Sequence, residues 1–183
     1  MKVRLLVTKK CHLKCEKCSN KQFDLDNLPS LDEFHKFDEV IITGGEPYLY
    51  PDKLHNLIGY IKGHSSAKIY IYSAHFGILN DTWLLSHIDG ITFTIHKNSQ
   101  FSLTIFKLSE FKLAKIKLNH NLTLILYIEN DLYLVSLSDY YVNKHLWDKI
   151  KYFDMIDNCE VKEDLFAKLP KLFEDYEQYR IIN

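Results

Sequence analysis

The sequence lacks an excess of charge of either sign, and it lacks long apolar runs. Its formal net charge is −1, so we expect no general attraction to nucleic acid or to an anionic membrane. No run of about 18 or more apolar residues is present, which argues against a membrane-spanning helix. No apolar segment of the signal-peptide type precedes the first cysteine. We therefore expect a soluble, cytoplasmic protein that does not bind membranes.

Cysteines are few, and internal repeats, low-complexity segments and linkers are absent. The chain has four cysteines, three of them clustered, which fits a reducing compartment better than a disulfide scaffold. The fourth, Cys159, stands alone, and we expect it to be a small buried or free thiol. With 46% hydrophobic residues in 183, residues 1–183 are predicted to form one domain with a sizeable core.

The clustered cysteines, Cys11, Cys15 and Cys18, follow a β-branched run over residues 3–8 that predicts a strand. Free thiols gathered on one loop are an oxidation hazard, so their spacing indicates a metal site. A structural zinc ion needs a fourth ligand, which a histidine or the distant fourth cysteine would have to supply. A [4Fe–4S] cube held by three thiolates leaves one iron open. These residues by themselves allow both metals.

A second strand-like run, residues 40–43, ends in Gly44-Gly45-Glu46-Pro47. Paired glycines at a strand end let the backbone approach a ligand closely, and the proline stiffens the exit. The Cys-x3-Cys-x2-Cys loop followed by Thr43-Gly44-Gly45-Glu46-Pro47 makes the chain resemble the radical S-adenosylmethionine (radical SAM) enzymes, as a minimal single-domain member.

This resemblance implies two cofactors, a [4Fe–4S] cluster and S-adenosylmethionine (SAM) bound to its open iron. The implied metal ligands are Cys11, Cys15 and Cys18. The implied SAM contacts in the second motif are Gly44, Gly45, Glu46 and Pro47. The family often has an aromatic residue just before the third cysteine, where it packs on the adenine. Here that residue is Lys17, so the adenine contacts stay unassigned.

The resemblance also implies the chemistry. In the family, the reduced cluster passes an electron to SAM, and the 5′-deoxyadenosyl radical that results removes hydrogen from a substrate. A flavodoxin or ferredoxin would supply the electron, and the substrate is a small molecule or a partner protein or peptide. Two alternatives remain. One is an activase or peptide-modifying enzyme, slightly favoured by Cys18-Ser19-Asn20. The other is a non-catalytic zinc or Fe–S binding module.

Strand and helix patterns alternate along the chain. Helices are predicted at residues 51–63 and 81–86, and strands at 68–73 and 90–96. Such alternation predicts parallel βα units. With the resemblance, the expected fold is α/β, a partial parallel (βα) barrel of about six strands and of the radical SAM type.

Functional residues of parallel βα folds gather at the carboxyl ends of the strands. This rule nominates Ser73 and His75 after the third strand and Thr94 and His96 at the end of the fourth. The resemblance assigns Ser73, Thr94 and His96 to the SAM carboxylate and ribose. Thr94 alternatively lines a packed interior, and His96 is alternatively an exposed strand-end histidine.

Several further elements are predicted with weaker patterns. A capping box formed by Ser30 and Glu33 predicts a short helix between the two motifs. A helix after residue 99 is followed by a fifth strand over 122–128, with a hairpin as the alternative. A sixth strand is predicted over 151–156. The last roughly 30 residues are predicted to form a helical extension, because Leu165 and later apolar residues follow helical spacing.

Overall fold

The computed structural model of the protein describes residues 1–13, 15, 18–95, 121–127, 145–153, 164–169 and 173. Within these residues, seven strands form a single sheet. They are β1 (Lys2–Leu6), β2 (Glu39–Thr43), β3 (Lys68–Ser73), β4 (Gly90–Ile95), β5 (Asn121–Tyr127), β6 (Lys149–Phe153) and β7 (Leu165–Lys168). The order across the sheet is β6-β5-β4-β3-β2-β1-β7, and every neighbouring pair is parallel.

The predicted α/β class with a parallel sheet is thus confirmed, and the described strands form an open sheet compatible with a partial barrel. The number of strands differs from the prediction because Leu165–Lys168 is a strand, not part of a helix. This segment pairs with β1 from Val3↔Leu165 to Leu6↔Lys168. Pairing with the open edge of β1 supplies hydrogen-bond partners to backbone N–H and C=O groups of this segment, which in a helix would bond within the helix. This tertiary pairing decides the structure, although the apolar residues follow helical spacing.

Two α-helices lie among the described residues, α1 (Pro51–His64) and α2 (Thr82–Ser86), as predicted. Proline opens α1, where its missing N–H costs nothing. The Asp81 Oδ1 atom caps α2 by accepting from the Leu84 N–H at 3.0 Å. The buried stripe of α1 joins the apolar side chains of the strands in one core; that stripe consists of Leu54, Leu57, Ile58 and Ile61. None of the described helices is long and apolar enough to cross a membrane.

The helix predicted from the Ser30 capping box is wrong. Ser30 forms an isolated parallel bridge with Lys168. Its hydroxyl donates to the Leu169 carbonyl at 3.1 Å instead of capping a helix. The backbone is held by bonds from Leu31 N to Lys168 O and from Lys168 N to Pro29 O. Since β7 is itself absent from the predicted fold, no local pattern revealed this pairing.

Strands β5 and β6 confirm the predicted fifth and sixth strands. The sixth strand begins earlier than predicted, at Lys149, which pairs with Thr123 of β5. Other predictions fall on residues outside the described part of the chain. These are the helix after residue 99, most of the helical extension, and the residues Lys17, His96 and Cys159. The hairpin alternative is wrong, because β5 pairs in parallel with β4 on one side and with β6 on the other.

The two faces of the sheet differ in character. In β3 and β4, every second side chain is fully buried with the helices, whereas Tyr70, Tyr72, Thr92 and Thr94 are only half-buried. A parallel sheet covered on both sides has nearly continuous apolar strands. The alternation in β3 and β4 therefore marks one packed face and one face that presents rings and hydroxyls.

Candidate functional site

The two sequence motifs form neighbouring loops at the carboxyl end of β1 and β2. The cluster loop, residues 9–18, follows β1, and the glycine loop, residues 44–47, follows β2. Because β1 and β2 are adjacent and parallel, with Leu6 beside Thr43, both loops leave the sheet at the same edge. The predicted placement of the two motifs at strand ends is confirmed.

Backbone hydrogen bonds continue from the sheet into these loops. The Gly45 N–H donates to the Thr8 carbonyl at 2.6 Å, and the Glu46 N–H donates to the Lys10 carbonyl at 2.8 Å. Thr8 is itself fixed, because it is buried and its hydroxyl accepts from the Lys10 N–H at 3.1 Å. The glycine loop is therefore joined to the segment that leads directly to Cys11.

The glycines permit this close approach. A Cβ atom on Gly44 would lie 2.6 Å from the Thr8 carbonyl oxygen. On Gly45, it would lie 2.1 Å from the Lys10 carbonyl oxygen. Both distances are far inside van der Waals contact, so neither position accepts another residue without movement of the backbone. The close approach seen here is to the cluster loop.

Asn20 adds a side-chain link between the two loops. Its Nδ2 atom donates to the Gly44 carbonyl at 2.6 Å, and the residue is 9% exposed. Its Oδ1 atom is buried and has no hydrogen-bond partner in the described part of the chain. The Asn20 side chain thus has two roles: its Nδ2 atom fixes the glycine loop, and its Oδ1 atom is a buried acceptor beside that loop.

Glu46 lies at the centre of the site and is 2% exposed. Its carboxylate accepts from the Ser73 hydroxyl at 2.7 Å, from the Ala74 N–H at 2.8 Å and from the Tyr48 N–H at 3.0 Å. A buried carboxylate with three donors is compensated for its lost hydration. The Glu46 and Ser73 side chains therefore bond each other and tie the end of β2 to the end of β3.

None of the three cysteines of the cluster loop is in a disulfide; Cys11 is exposed, and Cys15 and Cys18 are half-exposed. Desolvation by the surrounding protein raises the pKa of the Cys11 thiol, and the negative charges of Glu46 and Cys18 act in the same direction. The Leu13 N–H, 3.4 Å from the sulfur, opposes this shift. A bound metal cation would instead lower the pKa of this thiol, because coordination favours the thiolate.

The donor set fits an iron–sulfur cluster, because three accessible thiols share one loop and iron–sulfur clusters take thiolate ligands. The neighbouring glycine loop has no side chains at Gly44 and Gly45 that would crowd a ligand. In the described residues, no three His, Cys, Asp or Glu side chains are already grouped as a metal site.

A contact that the sequence did not indicate joins the cluster loop to the segment that follows β3. The rings of His12 and His75 lie edge to face with centroids 5.4 Å apart. Burial and the nearby His12 lower the pKa of His75, while Glu46 opposes this shift. The His75 Nδ1 atom accepts from the Gly77 N–H at 3.2 Å, which leaves the proton of a neutral ring on Nε2.

Tyr48 extends this group, with its ring 5.3 Å from that of His75. Its hydroxyl donates to Asp81 at 3.0 Å. Burial and the Asp81 carboxylate raise the pKa of Tyr48 to about 12, so the phenol stays protonated at neutral pH. Only the strand-end rule pointed to His75, whereas nothing in the sequence pointed to Tyr48 or His12 as its neighbours.

Lys53 is a second residue that sequence reasoning missed. It lies on α1, is 4% exposed, and its Nζ atom donates to the Val7 carbonyl at 3.2 Å, just before the cluster loop. A single lysine beside an apolar stripe is normally a solvated residue, so the sequence carries no signal for this bond.

The remaining predicted site residues separate into two places. Ser73 lies beside Glu46, as described, and Pro47 is buried in the short turn of residues 47–49. Thr94 lies near the end of β4 and is half-buried on the sheet face that bears hydroxyls. His96 is outside the described residues. The structure therefore groups the glycine loop, Ser73 and the cluster loop, with Thr94 two strands away from β2.

Two comparisons with known proteins give no relative from which a function can be transferred. No protein-family model matches the sequence, and no curated protein is similar to it.

Proposed function

We propose that this protein is a radical SAM enzyme acting on an organic substrate in the reducing cytoplasm. Cys11, Cys15 and Cys18 would hold a [4Fe–4S] cluster, and the glycine loop would contact SAM. The bound cluster would supply one electron that cleaves SAM and yields a 5′-deoxyadenosyl radical for hydrogen abstraction. An external donor such as a flavodoxin or ferredoxin would reduce it.

The observation that carries the proposal is the direct joining of the two motif loops. The bonds Gly45 N to Thr8 O and Glu46 N to Lys10 O link segments that lie more than thirty residues apart in the sequence. These bonds continue the β1–β2 ladder beyond the sheet, and they hold the Gly-Gly-Glu-Pro segment directly beside the segment that leads to Cys11. A site that must hold a cluster and its ligand side by side requires this proximity.

The chain's own residues have positioning roles in this proposal. The Asn20 amide and the Thr8 carbonyl hold the glycine loop against the cluster loop. Glu46 and Ser73 fix the ends of β2 and β3 beneath it. The half-exposed thiols of Cys15 and Cys18 remain accessible to incoming iron and sulfide.

The proposal is tested under anaerobic conditions. The protein is reconstituted with iron and sulfide, reduced with dithionite, and assayed for 5′-deoxyadenosine after addition of SAM. We expect production by the wild type and none by the triple variant Cys11→Ala, Cys15→Ala, Cys18→Ala. The variant Cys159→Ala, which removes the cysteine outside the motif, is the matched control and should retain activity.

Zinc in place of iron, or a cluster that cleaves no SAM even with candidate substrates, would contradict the enzyme proposal. Equal loss of activity in Cys159→Ala would contradict the assignment of the ligands. The first of these results would favour a metal-binding module instead, whereas the second would leave the enzyme proposal standing and give Cys159 a role in activity.

A further inference from the structure

The half-exposed sheet face carries a group of polar side chains on β4, β5 and β6, which we call the threonine–lysine patch. It consists of Thr92, Thr94, Thr123, Lys149 and Lys151. We propose that this patch binds the carboxylate or phosphate group of an organic anion. The proposal rests on the enzyme function above in one respect, since the anion would be the substrate.

The register of the strands brings these residues together. Thr92 pairs with Thr123, and Thr123 pairs with Lys149, so the three form one row across three strands. In the next row, Thr94 and Lys151 both align with Ile125. Paired residues of parallel strands share a face, and neighbouring strands lie about 5 Å apart. The patch therefore spans three neighbouring strands, an area that one small organic anion can cover.

The exposure of Thr92, Thr94, Thr123 and Lys149 makes these four residues of the patch accessible to a ligand. Thr92, Thr94 and Thr123 are half-buried, Lys149 is exposed and Lys151 is half-buried. None of the hydrogen bonds within the described residues uses a hydroxyl of these threonines. Hydroxyl and ammonium groups are both donors to anionic oxygen, and bonds from a charged donor are the stronger ones.

The charge of this face fits an anion. On β3 to β6, no aspartate or glutamate is in register with a residue of the patch. Asp89 and Asp148 lie in loops before β4 and β6, where they bond the backbone N–H groups of Ile69 and Leu122. The whole chain has a formal net charge of only −1, so this cationic face is a local feature and not a reflection of composition.

Anion binding can be measured on the protein without a cluster or SAM, so its failure is separate from failure of the enzyme proposal. The probes are inorganic pyrophosphate and citrate, titrated by calorimetry at low ionic strength. We expect saturable binding of at least one probe. Lys149→Gln should weaken it about tenfold, and Thr92→Val several-fold, by loss of one charged or neutral hydrogen bond. Preference between the probes distinguishes phosphate from carboxylate.

The matched control is Lys62→Gln, an exposed lysine near the end of α1. It removes the same charge away from the patch and should leave binding within about twofold, because exposed charges far apart are screened. In addition, methyl resonances of Thr92, Thr94 and Thr123 should shift on binding in a threonine-labelled sample.

Three results would overturn the proposal. The first is equal weakening by Lys62→Gln, which would indicate nonspecific charge attraction. The second is unchanged anion binding with lower solubility of Lys149→Gln, which would assign the lysines to protection of the edge strand. The third is tighter binding of single-stranded DNA than of either small probe, with the same dependence on Lys149, which would assign the face to nucleic acid.

Discussion

The two halves of the sheet use their polar residues differently. At the ends of β1, β2 and β3, polar groups such as Glu46 and Ser73 are buried and bonded to one another. On β4, β5 and β6, the polar side chains include half-buried threonines, the half-buried Lys151 and the exposed Lys149. Internal bonds stabilise a fixed arrangement, whereas accessible donors are available to a ligand. Under the two proposals above, the first half would hold the cofactors and the second half would bind the substrate.

The largest effect on this comparison is expected from Gly45→Ala. The new Cβ atom would lie 2.1 Å from the Lys10 carbonyl oxygen, so the two loops must separate. We expect a loss of about 3 kcal/mol in the free energy of unfolding, measured by urea denaturation.

The matched control for this glycine is Gly59→Ala in α1, where nothing lies within 4 Å of the added atom. That change should stabilise the protein by about 0.5–1 kcal/mol, because alanine favours a helix. Similar effects of the two substitutions would contradict the close packing of the two loops.

A smaller effect is expected from Glu46→Gln. The amide replaces one acceptor oxygen with a donor, so it cannot accept from the Ser73 hydroxyl and the Ala74 N–H at the same time. We expect a loss of about 2 kcal/mol in urea denaturation, because a buried donor is left without a partner.

Glu33→Gln is the control for Glu46. Glu33 is exposed and ion-paired with Lys36 on the surface, and its removal should leave stability nearly unchanged. If Glu46→Gln is equally harmless, the carboxylate does not fix the ends of β2 and β3.

The smallest effect is expected from Thr92→Val, which keeps the branched shape and removes only the hydroxyl. Since no hydrogen bond within the described residues uses that hydroxyl, the free energy of unfolding should change by less than about 0.5 kcal/mol. Ser73→Ala, which removes a hydroxyl bonded to Glu46, should cost about 1 kcal/mol. If the two substitutions lower the free energy of unfolding equally, the hydroxyl groups of the two halves of the sheet do not differ in their contribution to stability.

Much of the fold was predictable because the apolar periodicity of β3, β4 and α1, and the continuous apolar run of β2, agree with their burial. The failures share one cause. Ser30 and Leu165–Lys168 obtain their backbone partners from segments remote in sequence. Local patterns that indicate a helix carry no information on such pairing.

The candidate site was predictable in position but not in its internal contacts. Spacing identified the cysteines and the glycine loop, and the strand-end rule identified Ser73. The bonds of Glu46, and the placement of Lys53 beneath the Val7 carbonyl, depend on the three-dimensional approach of separate elements. The polar face of β4 was visible as Thr92 and Thr94, but its lysine neighbours required the register with β6.

The most direct test of the central claim is electron paramagnetic resonance of the reconstituted, dithionite-reduced protein before and after addition of SAM. We expect a [4Fe–4S]⁺ signal that requires Cys11, Cys15 and Cys18, and whose g values change when SAM is added. A signal that SAM leaves unchanged, or the absence of any cysteine-dependent cluster after reconstitution, would contradict it.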